Sequence, residues 1–222
     1  MKSEEGQSCE SSVPTENQSS VCPSFEDVTP IDAPDAYSPP ALEEVDEENL
    51  YPYLKKLVEE HHTFVTELNI FEATLKKIQH EGITKEINPM LGRFFEFFSK
   101  EVIPHNRREE RELFPVLASR LIEVGEHSKG AEDGEDSQPT TAITVMEEEH
   151  LKGIQIAAVA FNLFGLASRL PDPDSRLLVL DAAVEQGKAL VELYRLHIFR
   201  EDKILFPLAQ KHLTDSEMED LL

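Results

Sequence analysis

Two segments of the chain carry one pattern: HNRREERELFP at 105–115 and HIFREDKILFP at 197–207. A His, an Arg, the Glu four residues after the His and a closing Leu-Phe-Pro recur at matching places, and Glu110/Asp202 and Arg111/Lys203 keep their charge. The echo reaches upstream. EEHH sets His61 44 residues before His105, and EEEH sets His150 47 residues before His197. The chain therefore reads as two similar helical hairpins, each with one His on its first helix and an HxxxE on its second.

The apolar pattern supports that reading. Leu54, Leu57, Val58, His61, Val65, Leu68, Phe71, Leu75 and Ile78 recur at three and four positions, which predicts one long amphipathic helix closed at Gly82. A second helix is expected from near Thr84 or Asn88 through Val124, with Pro89 in its first turn. Pro104 and Pro115 read as kinks rather than ends, because the apolar stripe resumes after each. GEHSKGAEDGEDSQPTT at 125–141 reads as a long, acidic, mobile connection. A third helix is expected over Thr140–Ser168, and a fourth from Pro173 or Asp174 to Lys211, with Asp174 as N-cap and a late proline, Pro207. Four long helices without a strand pattern predict an all-α fold, an up-and-down antiparallel four-helix bundle over 47–222. Residues 1–46 are rich in Ser, Pro, Glu and Asp, with Lys2 as their one basic residue, and read as a disordered acidic tail. Cys9 and Cys22 fall in that segment, where they read as incidental rather than as a disulfide or a reactive pair.

Charge narrows the function classes. With 44 acidic against 21 basic residues, the net charge of -23 has the wrong sign for the phosphate backbone of nucleic acid. No apolar run approaches the roughly 18 to 20 residues of a membrane span, and MKSEEGQSCESS lacks the regions of a signal peptide. A soluble, cytoplasmic protein that binds neither nucleic acid nor membrane is the expectation.

In each repeat, a spacing of four brings the His and the Glu within about 40° of each other around the helix, one turn apart. Each pair can reach one point. Packing the hairpins together would then collect four imidazoles and two carboxylates in the interior. Such donors favour iron, manganese or zinc. Six are too many for one tetrahedral zinc and suit two metals. If Glu109 and Glu201 both bridge, room remains for an oxo or hydroxo bridge and for an open position. His61 and His62 compete for one place, since adjacent residues point about 100° apart; the alignment of EEH with His150 favours His61. Glu110, Glu112 and Asp202 are expected to pair on the surface with the neighbouring arginines and Lys203, and His80, His127 and His212 to be solvated. Tyr194, one turn before His197, reads either as a polar neighbour of the site or as a packed aromatic, and Phe94, Phe95, Phe97 and Phe98 as core.

The repeated HxxxE with LFP, each copy preceded by a His after acidic residues, resembles the hemerythrin-like HHE cation-binding domain over roughly 47–212. The resemblance implies a non-heme di-iron site with His61, His105, His150 and His197 as terminal ligands and Glu109 and Glu201 as bridges. Oxygen-carrying hemerythrins have a further His one turn after the third-helix ligand, where this chain has Ile154. The four-His, two-Glu set is instead similar to that of di-iron proteins linked to nitric oxide handling and repair of damaged iron centres, and of domains that sense iron or oxygen. The expected ligand is a small gas, O2 or NO. An enzyme of NO or peroxide detoxification or iron-sulfur repair, and an iron- or oxygen-responsive regulatory module, are the competing expectations.

Overall fold

Proline decides where the helices change pitch. The computed structural model describes residues 47–128 and 140–221, and the expectations for 1–46, Cys9 and Cys22, and for most of the acidic connection, lie outside them. After a short 3-10 turn, Glu47–Asn49, comes α1, Pro52–Glu81, followed by α2 over 87–123, α3, Ala142–Ala167, α4 over 173–212, and a short α5, Asp215–Glu219. Among the described residues there is no strand, only an isolated bridge between Ser128 and Thr140.

α2 and α4 were expected to kink at prolines; at each of those places the helix continues through a widened turn. In α2, π-helical turns at Phe98–Val102 and Glu109–Leu113 separate α-helical pieces, and in α4 the same occurs at Glu201–Leu205. The N–H groups of Ile103, Phe114 and Phe206 donate to the carbonyls of Phe98, Glu109 and Glu201, five residues back. Each donor directly precedes a proline. A proline ring collides with the carbonyl four residues back and offers that carbonyl no N–H. Widening the turn by one residue relieves both problems without ending the helix.

The ends follow local chemistry. Gly82, at φ 70°, closes α1 with its N–H on the Ile78 carbonyl, a left-handed backbone that glycine adopts without steric cost. α4 is capped by Asp172, whose carboxylate accepts from the Ser175 N–H at 2.8 Å, and not by Asp174 as the sequence led us to expect. Pro173 occupies the first helical position, where a missing N–H costs nothing, so the cap must precede it.

The long helices pack as a bundle. Along α1, Tyr53, Glu60 and Phe71 meet Glu112, His105 and Phe94 of α2, so the partners run in opposite order. Asp202, Arg195 and Gly187 of α4 meet His61, Glu72 and Leu75 in the same reversed sense. α3 is the one described helix long and apolar enough, by length and composition, to cross a membrane. It packs along α4 with Ile143, Met146, Ala157, Ala160 and Phe164 in the cores.

Those cores are two. One holds Leu54, Leu57, Val58, Leu113, Phe114, Met146, Leu205 and Phe206; the other holds Phe64, Leu68, Val102, Ala157, Tyr194 and Ile198 with the ends beyond them. Between the two, all four long helices present polar side chains at one level: His61, His105 and Glu109, His150, and His197 and Glu201. Apolar layers thus seal a polar layer from both sides.

Candidate metal centre

All six residues singled out by their spacing converge in that layer, and none is more than 3% exposed. Nε2 of His61 lies 3.0 Å from Nε2 of His105, and Nε2 of His150 lies 3.0 Å from Nε2 of His197. Each hairpin therefore brings its own two imidazoles together. The carboxylates join the halves. Glu109 sets Oε1 at 3.3 Å from His105 and Oε2 at 3.5 Å from His150. Glu201 sets Oε2 at 3.3 Å from His61 and Oε1 at 3.2 Å from His197 and 3.8 Å from His150. Ligand atoms of His61, His105, Glu109 and Glu201 fall within 4.8 Å of one another, as do those of His150, His197 and Glu201.

None of the four oxygens of Glu109 and Glu201 has a hydrogen-bond partner among the described residues. Burying a carboxylate in this way is costly unless a cation compensates it. The arrangement is compatible with metal binding: imidazole nitrogens and carboxylate oxygens, all buried, aimed at shared points.

The outward nitrogens explain how the rings are held. Nδ1 of His61 meets Asp202 at 2.7 Å, that of His105 meets Glu60 at 2.6 Å, that of His150 meets Glu110 at 2.9 Å and that of His197 meets Glu149 at 3.1 Å. Arg108 pairs with Glu60, and Arg200 with Glu149. A carboxylate on Nδ1 holds the proton there and leaves the Nε2 lone pair facing inward. Two of these partners correct an expectation. Glu110 and Asp202 were expected to pair on the surface with Arg and Lys; Glu110 is indeed exposed and Asp202 partly so, but each reaches an imidazole of the opposite hairpin. The residue after the inward Glu is turned about 100° around the helix, which brings it to the edge of the neighbouring helix. Glu112, also assigned to a surface pair, accepts from the Tyr53 hydroxyl at 3.0 Å. Glu60 and Glu149 were not singled out, although each directly precedes its hairpin's inner His.

The LFP phenylalanines do more than pack. Phe206 stacks on His61 with centroids 5.6 Å apart and planes 11° off parallel, and Phe114 stacks on His150 at 5.6 Å and 16°. His62 is exposed beside Glu47, so His61 is the inward member of the pair. His80 is exposed as expected, whereas His127 and His212 are half-buried. Phe94 and Phe98 are fully in the core, while Phe95 and Phe97 lie at its edge. Tyr194 is buried against His197, with ring centroids 5.8 Å apart.

The charges follow from this geometry. Burial opposes a charged His61, yet the hydrogen bond to Asp202 and the charges of Glu201 and Asp202 carry it from 6.5 up to about 10. Burial likewise opposes a charged His105, but Glu109 and Glu60 raise it to about 9. His150 also moves upward against burial, through Glu201, Glu109 and Glu110. Glu201 moves the other way: burial would raise it, but His197, His150 and His61 hold it well below the usual carboxylate range. The pocket demands positive charge, and metals and protons compete to supply it.

No curated protein matches the chain significantly. A family model described as the Hemerythrin HHE cation binding domain matches residues 53–209, a span that takes in all four long helices, the six converging side chains and the carboxylates behind them. With the match covering most of the sequence and the buried His and Glu set lying inside it, the chain belongs to the hemerythrin HHE cation-binding domain family.

Proposed function

We propose that the chain holds two non-heme iron ions and through them binds or senses a small diatomic ligand, O2 or NO. In this reading His61 and His105 ligate one ion, His150 and His197 the other, and Glu109 and Glu201 bridge them. The observation that carries it is the pair of buried two-imidazole half-sites joined by both carboxylates. Charge counting supports two ions. Glu60, Glu109, Glu110, Glu149, Glu201 and Asp202 contribute six negative charges around four neutral imidazoles, and Arg108 and Arg200 offset two. The remaining four match two divalent cations. Donors of imidazole and carboxylate with no thiolate suit iron, and also manganese or zinc. Iron would supply redox chemistry and an open coordination position, while the chain would set the imidazole tautomers through its outer carboxylates and exclude water with its two apolar layers. The reversed order of contacts along neighbouring helices supports an up-and-down antiparallel bundle built of two hairpins.

The test is elemental analysis of protein produced with iron available, combined with optical spectra under argon, air and NO. About two irons per chain and a spectrum that changes with either gas are expected. A metal content near zero would sink the reading, and two irons with no spectral response would sink the gas-binding half of it.

A further inference from the structure

The two half-sites are related by the sequence repeat, yet their surroundings are unequal. Aligning His105 with His197 sets Asn106 against Ile198 and Val102 against Tyr194; aligning His61 with His150 sets Phe64 against Gly153. Around His61 and His105 the near neighbour is therefore an aromatic ring: Phe64 lies edge-on to His105 at 4.9 Å and 5.9 Å from His61. At the corresponding place beside His150 stands Gly153, and its missing side chain is filled by the Tyr194 phenol. A carbon added at 153 would lie 2.6 Å from the Tyr194 hydroxyl oxygen.

Tyr194 is 4% exposed and Asn106 3%. Neither the Tyr194 hydroxyl nor the Asn106 amide nitrogen closes a hydrogen bond among the described residues. They nevertheless share one place, since the amide is near enough to influence the phenol, and the charges of Glu201 and Glu109 reach it as well. Two buried polar groups that close no hydrogen bond, one of them against His197, call for an explanation. Their repeat counterparts, Val102 and Ile198, are buried and apolar, so packing at this level needs no polar group.

We propose that the His150–His197 half-site is the one that receives an exogenous small ligand, with the Tyr194 hydroxyl and the Asn106 amide as its hydrogen-bond donors. The inference rests on the metal reading above and adds to it which half opens and what the ligand must be: a hydrogen-bond acceptor of a few atoms. At the other half the ring beside the imidazoles is Phe64, which has no donor to offer.

The probe is azide, titrated into the iron-loaded chain and followed by its absorption, in the unaltered protein and in Tyr194→Phe and Asn106→Leu. Iron per chain and thermal midpoint are measured on the same samples. Each variant is expected to keep its iron and to bind azide about tenfold more weakly, the scale of one lost hydrogen bond. Tyr194→Phe should melt no lower than the unaltered chain, because the hydroxyl it loses has no protein partner; a purely structural tyrosine would show the reverse pattern, lower stability with azide affinity unchanged. Azide affinity equal to that of the unaltered chain in both iron-replete variants overturns this proposal and leaves the metal reading standing. An unaltered chain that takes up no iron overturns both.

Discussion

At the scale of single residues, the outer carboxylates carry as much of the design as the inner ones. Each ring has its Nδ1 proton fixed from outside, so neutralising one such carboxylate loosens the ring without removing it. Asp202→Asn, which keeps the shape and removes the charge at 2.7 Å from His61, should lower iron affinity about 10- to 100-fold, measured by competition with a chelator. Glu201→Ala is a harsher change. It should leave three imidazoles facing a gap, with iron content falling well below two per chain on elemental analysis. The inner six were legible in the sequence because they recur in matched spacing, and four coincidences of that kind do not arise from packing alone. Glu60, Glu149, Glu110 and Asp202 were not, since acidic residues in charged stretches of a helix are usually solvated, and only the packing of the neighbouring helix shows which way each points.

At the scale of elements, the long helices are held close by small residues and allowed to change pitch by prolines. Gly187 of α4 sits where an added carbon would come within 2.8 Å of the Leu75 side chain, itself fully buried on α1. Leu75 has nowhere to retreat, so Gly187→Ala should destabilise the fold by about 1 to 3 kcal/mol, measured by urea unfolding. The π turns show where pattern reading stopped short. Helix existence and approximate ends followed from apolar periodicity, and the prolines marked the irregular places, but a proline in a helical stretch is equally compatible with a kink or a widened turn. The choice depends on which carbonyl the preceding N–H can reach in the packed bundle. Two of the widened turns begin at Glu109 and Glu201 themselves, so the irregularity lies where the carboxylates enter the polar layer.

At the scale of the whole molecule, one polar layer sets how stability answers to pH and to metal. In the metal-free chain, His61 and His105 titrate near 10 and 9 when folded, against 6.5 when unfolded. A raised value stabilises the fold fully below 6.5, and that contribution is lost as pH climbs through 9 and 10. Glu201, depressed from 4.5, stabilises above that value and loses its contribution as pH falls. Metal-free protein should therefore be most stable between about pH 4.5 and 6.5, as read by denaturant unfolding across pH 4 to 10. A metal bound in that layer would replace the protons, so the loaded chain should melt higher and lose the alkaline decline. The crossed contacts have a further consequence. Glu110 and Phe114 of the first hairpin complete His150, while Asp202 and Phe206 of the second complete His61. Each hairpin gives its partner what it receives, the reciprocity of an isologous two-fold dimer, here written into one chain. Either hairpin alone would leave its first-helix imidazole without its outer carboxylate and its stacking ring.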